Sequence, residues 1–335
     1  MSRAIVIRKV ESPAPGEPVN TAALEDVGPP DPADGPVLVD VAYSGVNYKD
    51  GLALTGRPGV VRRTPLVAGI DLVGTVRSSD DPRWAAGDEV ILNGTGLSET
   101  RNGGLAEVAR VPGDHLVRLP HGLTPARAAA IGTAGYTAAL CVLRLEREGV
   151  VSSADQPVLV TGATGGVGSI AILLLAASGH HVAALTGRAE AYADYLRGLG
   201  AATIVPREEL TGAGRPLQSQ RWAGVVDAVG GEVLANAIAQ TRYGGTVAAC
   251  GLAGSAALPA SVMPFILRAV TLAGVDSVVA SLPDREAAWA RLARDLDADV
   301  LDGLTETVPL AGAIDVAGRL LAGQAHGRIV VDVRA

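Results

Sequence analysis

Cysteine is nearly missing from this chain: Cys141 and Cys250 are the two in 335 residues. That excludes a disulfide framework and fits a reducing compartment. A surplus of positive charge is missing as well. Lysine and arginine total 28 against 35 acidic residues, a net charge of −7, so the basic footprint of a nucleic-acid binder is absent. Metal ligands are scarce. None of the five histidines (His115, His121, His180, His181, His326) is spaced with a cysteine as a ligand pair, and no set of four cysteines could hold structural zinc. The opening Met-Ser-Arg-Ala-Ile-Val-Ile-Arg-Lys carries charge on both sides of a short apolar run, unlike a secretory signal. Ile170 to Ala177, the most apolar helix candidate, is too short to span a bilayer. These absences predict a soluble cytoplasmic protein with no nucleic-acid or membrane partner, and catalysis without a metal.

What is present is apolar and rich in glycine. Hydrophobic residues make up 48% and charged residues 19%, enough for a large core, and the length suggests two domains. Residues 1–126 read as β-rich. Ala4 to Ile7, Val37 to Val41, Gly69 to Val76, Glu89 to Leu92 and Leu105 to Val111 are strand candidates separated by Gly, Pro and Asp. Thr124-Pro125 then opens an alanine-rich helix, with proline at the first helical position. Beyond it strands and helices alternate. The strands are Val158 to Thr161, His181 to Leu185, Thr203 to Val205, Val225 to Val229, Thr246 to Ala249 and Thr271 to Val275; helices fall at 167–178, 189–198 and 231–242. Such alternation predicts an α/β, doubly wound parallel sheet. A helix over Asp284 to Leu296 and a strand over Arg328 to Val333 close the chain. The tail is expected to complete the first domain, giving 1–126 with 278–335 as one domain and 127–277 as the other.

The most informative segment is Val160-Thr161-Gly162-Ala163-Thr164-Gly165-Gly166-Val167-Gly168-Ser169. It lies between a short apolar strand and an apolar helix, the order of a dinucleotide-binding βαβ unit. The pattern is G-x-G-x-x-G with Ala163 in place of the first glycine. Glycine permits the tight turn and lets backbone N–H groups approach a pyrophosphate, which the helix N-terminus then favours. The second strand chooses between cofactors. In NAD-preferring folds it ends in an acid, about 20 residues after the turn, that binds the ribose 2′-hydroxyl. Here it ends Thr186-Gly187-Arg188, with no acid, and Arg207 follows the third strand. Arginine offers charge-assisted, often bidentate contacts to phosphate, which suits the 2′-phosphate of NADPH.

With these pieces in place the chain resembles the zinc-free quinone-oxidoreductase branch of the medium-chain dehydrogenases/reductases, and within it the bacterial acrylyl-CoA reductase group. The resemblance runs from Val39 to Val331. It is carried by Asn47-Tyr48-Lys49-Asp50-Gly51, Pro65-Leu66-Val67-Ala68-Gly69-Ile70-Asp71, Gly103-Gly104-Leu105-Ala106-Glu107 and Ile131-Gly132-Thr133-Ala134-Gly135-Tyr136-Thr137-Ala138. Later segments are Cys250-Gly251-Leu252-Ala253-Gly254, Met263-Pro264-Phe265-Ile266-Leu267-Arg268 and Gly274-Val275-Asp276-Ser277-Val278. It implies a GroES-like catalytic domain beside a Rossmann domain, a homodimer, and NADPH-dependent reduction of the 2,3 double bond of acryloyl-CoA to propionyl-CoA. A quinone or general enone reductase of the same fold, or a non-catalytic NADPH-binding protein, are the competing readings. In zinc-dependent relatives a cysteine ligand falls at Asn47 and a histidine ligand at Ile70, neither of which is retained.

The resemblance also implies residue roles. Thr164, Gly165, Gly166 and Val167, flanked by Ala163 and Gly168, would take the pyrophosphate. Thr186, Gly187 and Arg188, with Arg207 nearby, would take the 2′-phosphate. Leu252, Ile266 and Ser277 would line the rest of the cofactor path, although Leu252 and Ile266 equally suit ordinary core packing. Gly323 stands where close relatives carry an asparagine. Tyr48 is placed beside the nicotinamide, as a catalytic hydroxyl or as packing, with Asn47 and Lys49 as weaker catalytic candidates and Asp50 as a brace for the loop. Arg57, Arg62 and Arg63 suit either CoA phosphates or a solvated loop. Cys141 and Cys250 read as buried inert thiols.

Overall fold

The computed structural model describes residues 1–11 and 19–335. The chain divides into two compact units. The first contains residues 1–133, 277–293 and 297–335, and the second residues 134–276 and 294–296.

The first unit is built on β-sheet. β1 (Ser2–Lys9), β2 (Asn20–Val27), β3 (Val37–Gly45), α1 (Tyr48–Leu54), β4 (Leu66–Val67), β5 (Asp71–Ser79), β6 (Glu89–Asn93), β7 (Val108–Val111) and β8 (Val117–Arg118) follow one another before the long helix α2 (Pro125–Arg147). β1 pairs antiparallel with β2 and β4. The alternating apolar side chains of β3 and β5, with Ile5, Ile7, Val90, Leu92 and Leu105, bury a common core, as period-two patterning dictates.

The second unit contains β9 (Val158–Val160), α3 (Gly166–Ala177), β10 (Val182–Thr186), α4 (Ala189–Gly198), β11 (Thr203–Pro206), β12 (Trp222–Asp227), α5 (Gly231–Gln240), β13 (Thr241–Ala249), α6 (Met263–Arg268) and β14 (Thr271–Gly274). Its six strands are ordered β11-β10-β9-β12-β13-β14, and every pairing is parallel. β9, β10 and β12 are buried along their whole length, which explains why they read as unbroken apolar runs rather than as alternation. The strand order reverses at β9, so its C-terminal end is a topological switch point, the usual place for a ligand in an open α/β sheet. The α/β architecture anticipated from the sequence is thus present.

After β14 come α7 (Leu282–Asp295), α8 (Ala298–Gly303), β15 (Thr305–Pro309), α9 (Ala313–Leu321) and β16 (Arg328–Asp332). β16 inserts between β15 and β3, with Val330 opposite Gly45 and Val331 opposite Ser44. The first unit's larger sheet is therefore made from both ends of the chain.

The compact units part after Thr133, beyond the change of sequence texture at residue 126, because α2 is two helices joined at Gly132 (φ 49°, ψ −162°). The start of α2 is as the sequence suggests: Thr124 Oγ1 accepts from Arg127 N at 3.2 Å ahead of Pro125. The apolar stretch Ile170 to Ala177 lies in α3, which is too short to cross a bilayer, as expected. Among the described residues, α2 is long and apolar enough to do so by length and composition. However, 78% of its apolar window is buried within the protein, as in the core helix of a globular fold. A Cβ at Gly132 would stand 2.6 Å from Asp71 Oδ2 and 2.7 Å from Arg328 Nη2, in a backbone conformation that L side chains rarely adopt. Gly132→Ala should therefore destabilise the protein by about 3 kcal/mol, read as a lowered urea midpoint. An unchanged midpoint would show that this junction tolerates a side chain.

Candidate functional site

In the second unit the site begins where β9 ends. Thr161 is buried and its hydroxyl donates to Asp227 Oδ1 at 2.7 Å. Gly162 turns the chain at φ +60°, and Gly165 N donates back to Gly162 O at 2.9 Å. α3 then starts at Gly166. Gly168 lies against the turn: a Cβ there would be 2.4 Å from Gly162 O and 2.7 Å from the Ala163 Cα. Ala163, Thr164 and Gly168 are buried, whereas Gly165 is exposed and Gly166 and Val167 are half-buried. The first N–H groups of α3 thus face an accessible surface without helical partners, as an anion requires. Asp227 braces the neighbouring strand end. It also accepts from Gly230 N at 2.8 Å, and burial pushes its carboxyl above the ordinary range.

Beside this turn lies the end of β10. Thr186 is buried, and its hydroxyl accepts from Arg188 N at 3.1 Å. Arg188 Nη2 donates to Thr164 Oγ1 at 3.1 Å, so the glycine turn and the β10 loop share a side-chain bond. Arg207 lies over Gly187, where a Cβ would meet its Cζ at 3.1 Å. The structure therefore gathers Thr164, Thr186, Gly187, Arg188 and Arg207, with two cations and no carboxylate at the strand end. Leu252 and Ile266 are 65% and 72% exposed, so the core-packing alternative does not apply to them. Ser277 belongs to the first unit, where its carbonyl accepts from Arg285 Nη2 at 3.2 Å. Gly323 has open space around its Cα and φ +70°.

The first unit holds a different cluster. Asn47 caps α1: its backbone N donates to Asp50 Oδ2 at 2.9 Å. Its side-chain amide donates to Asp50 Oδ2 at 3.1 Å and to Asp71 Oδ2 at 2.7 Å, while its Oδ1 accepts from Arg328 Nη2 at 3.2 Å. An amide, with donors at one end and an acceptor at the other, fits between two carboxylates and a guanidinium. Asp50 also accepts from Ile70 N at 2.9 Å. Asp71 receives Asn93 Nδ2 at 2.7 Å and Thr133 through both its N (3.0 Å) and its hydroxyl (2.5 Å). Arg328 Nε donates to Ala130 O at 2.5 Å. All of Asn47, Asp50, Asp71 and Arg328 are buried. The Asn47 side chain is thereby engaged on every side, an arrangement for positioning rather than for proton transfer. Asp71, Arg328, Asn93 and Thr133 received no role from the sequence. Asp71 ends the Pro65-Leu66-Val67-Ala68-Gly69-Ile70-Asp71 segment, but nothing in the sequence ties it to Arg328.

Tyr48, next to this cluster at the start of α1, is 49% exposed. Lys49 pairs with Glu99 at 2.5 Å, Arg62 approaches Glu99 at 3.9 Å, and Arg63 pairs with Asp34 at 3.3 Å; Arg57 is exposed. These loop arginines are solvated, and two of them are already matched by acids. Cys141 is fully buried but Cys250 is half-buried, so the reading of two buried thiols is corrected for Cys250. The neighbouring Cys250 thiol and burial raise the Cys141 thiol well above its ordinary range. Cys250 Sγ also donates to Asp227 O at 3.3 Å. Among the described residues no group of three or more His, Cys, Asp or Glu side chains could hold a metal ion.

The Asp50 carboxyl is pushed up to about 7, first by burial and then by the Asp71 charge, against the pull of the Asn47 and Ile70 hydrogen bonds. Its folded value lies above its unfolded one. The folded protein therefore keeps a proton that the unfolded chain releases, and ionisation costs stability as pH rises. Relative to Asp50→Asn, the wild type should lose stability between about pH 4 and about pH 7 and lose no more above that window. Urea titrations across this range check it. Parallel profiles would mean that Asp50 ionises normally.

The chain matches two family models, alcohol dehydrogenase GroES-like domain over residues 33–121 and zinc-binding dehydrogenase over residues 166–295. It is 48% identical to the acrylyl-CoA reductase AcuI of Ruegeria pomeroyi across the full length of both chains. It is also 48% identical to YhfP of Bacillus subtilis, a putative quinone oxidoreductase, over 93% of each chain. The crystal structure of YhdH from Escherichia coli K-12 with bound NADPH superposes with a TM-score of 0.92 at 46% identity, covering 98% of this chain and 99% of that one. On full-length identity of this order, joined to a glycine turn at the switch point of a parallel sheet, the chain belongs to the medium-chain dehydrogenase/reductase family.

Proposed function

We propose that this protein is an NADPH-dependent enoyl-CoA reductase that converts acryloyl-CoA to propionyl-CoA. The pairing of Arg188 and Arg207 around the acid-free end of β10 carries the cofactor half of this reading. The acceptor half rests on full-length similarity to an acrylyl-CoA reductase. The residues present fit the dinucleotide. The exposed start of α3 suits a pyrophosphate, the close approach at Gly168 brings its backbone to the turn, and the exposed apolar Leu252 and Ile266 suit the remainder of the cofactor path. Ser277 is retained in this reading as a further cofactor contact. When bound, NADPH supplies the hydride that adds to the β-carbon of the conjugated thioester.

Within this proposal the chain's own groups bind, orient and move a proton. Thr164 to Val167 hold the pyrophosphate on the N–H groups of α3. Thr186, Gly187, Arg188 and Arg207 hold the 2′-phosphate. The Tyr48 hydroxyl hydrogen-bonds the enolate oxygen as charge builds and delivers the α-carbon proton, directly or through water. Asn47 acts through its hydrogen bonds to Asp50, Asp71 and Arg328, which fix the start of α1 and so the direction of Tyr48. A cytoplasmic homodimer is part of the same reading. The edge strand β14 and the exposed Leu258, Val262, Met263 and Leu267 on the second unit support self-association.

The similarity to a putative quinone oxidoreductase supports a second reading, reduction of quinones by the same cofactor. NADPH oxidation measured side by side with acryloyl-CoA, crotonyl-CoA and a benzoquinone separates them. We expect the highest kcat/KM with acryloyl-CoA; a clear preference for the quinone would replace the first reading, and no turnover with any acceptor would leave a dinucleotide-binding protein. Tyr48→Phe should lower kcat by about a hundredfold if the hydroxyl handles the proton, and an unchanged kcat would reduce Tyr48 to packing. Arg188→Ala should abolish the preference for NADPH over NADH in the same assay, and retention of full preference would remove the cofactor argument.

A further inference from the structure

Arg188 is held on more sides than its place at the end of β10 requires. It is the residue that opens α4, and Tyr192 lies four positions on, one helical turn away on the same face. The Arg188 Cζ stands 4.4 Å over the centre of the Tyr192 ring, and Nη1 donates to the Tyr192 hydroxyl at 3.3 Å. Tyr192 is itself braced. Its ring meets that of Tyr195 edge-on, with centroids 6.1 Å apart and planes at 81°. The Tyr195 hydroxyl in turn shares a 2.9 Å hydrogen bond with Ser169 Oγ, in the first turn of α3, and Ser169 Oγ donates to Gly165 O at 2.9 Å. Arg188 Nη2 on Thr164 Oγ1 closes the circuit. Ser169, Tyr195, Tyr192, Arg188 and Thr164 thus form a ring of contacts that begins and ends on the glycine turn.

Elementary chemistry gives this ring a purpose. A guanidinium is planar and its donors lie in its plane, so an aromatic face against one side fixes the plane in which those donors can meet a phosphate. An unheld arginine would lose its rotamer freedom only when ligand arrived, and that loss would subtract from affinity. The route from Tyr192 to a 2′-phosphate runs through Arg188, whereas its edge contact with Tyr195 leads to the glycine turn that both nucleotides would share, so a loss common to both would mark that second route.

We propose that Tyr192 is a positioning residue that sets the preference for a 2′-phosphorylated nucleotide by fixing the Arg188 guanidinium before the nucleotide binds. This rests on the reading of Thr186 to Arg188 as the 2′-phosphate site.

The test compares binding of NADP⁺ and NAD⁺ to the full chain, by calorimetry, in wild type, Tyr192→Ala, Tyr192→Phe, Arg188→Ala and the Tyr192→Ala/Arg188→Ala double variant. Tyr192→Ala should weaken NADP⁺ about tenfold by removing the cation–π contact, and change NAD⁺ by less than about twofold. Tyr192→Phe keeps the ring and should restore most of the NADP⁺ affinity. In the Arg188→Ala background Tyr192→Ala should add nothing, because its route to the ligand is gone. Equal weakening of both nucleotides by Tyr192→Ala, or no weakening of either, would overturn the proposal. If Arg188→Ala leaves the NADP⁺ to NAD⁺ ratio intact, the 2′-phosphate reading fails and this proposal with it. If Arg188→Ala collapses the ratio and Tyr192→Ala leaves it standing, only the role of Tyr192 fails.

Discussion

A buried cation organises the first unit. Arg328 is 3% exposed at the start of β16, and a guanidinium in that setting must be compensated or it is strongly destabilising. Compensation comes from three separate stretches of chain: the Ala130 carbonyl in α2, the Asn47 amide at the start of α1, and the charges of Asp71 and Asp50. Burial still pulls the guanidinium below its ordinary range, the two carboxylates opposing that pull. Much else follows from satisfying this one group. Gly132 lacks a side chain because Arg328 and Asp71 fill the space where one would be. Asn47 is an amide because it must donate to carboxylates and accept from the guanidinium. Asp50 can be buried because Asn47 and Ile70 supply its hydrogen bonds. The start of α1, and with it the exposed Tyr48, is fixed by this arrangement rather than by helix propensity, since the helix spans seven residues and includes Gly51.

The second unit solves the opposite electrostatic problem. It must attract anionic ligand groups and so leaves donors accessible at the surface: the first N–H groups of α3 and the cations that follow β10 and β11. Strand ends supply fixed backbone directions, and the parallel sheet, buried on both faces, makes those directions rigid. Its one buried carboxylate among the site-forming strand ends, Asp227, points inward and binds Thr161 and Gly230 instead of facing the ligand surface.

The sequence was legible where one segment sufficed to define an element. The buried strands of the second unit could be read because each is a short apolar run bounded by turn residues, and the glycine turn because its spacing has a local reason. Elements defined by a distant partner were not legible. β2 carries a mostly exposed Asn-Thr-Ala-Ala-Leu-Glu-Asp-Val and exists through its register with β1. α1 owes its first turn to the hydrogen bonds that Asn47 donates to Asp50. β13 begins at Thr241, ahead of the expected Thr246, because Thr241 pairs with Trp222 across an irregular register. The candidate cofactor residues were visible as a pattern, whereas the partnership of Asp71 with Arg328, and that of Arg188 with Tyr192, required coordinates.

The sheet of the first unit joins β3 to β16, an early strand of the chain to its last. During synthesis the second unit, a nearly continuous stretch from 134 to 276, can close its sheet from contacts already available. The first unit has to wait. Until residues 328–332 have left the ribosome, the edge of β3 near Ser44 and Gly45 is unpaired, and Asn47 and Asp50 lack their cation. Nascent chains would therefore carry a finished dinucleotide-binding half beside an open sheet edge, so premature termination would yield material prone to edge-to-edge aggregation rather than an inactive but well-folded fragment.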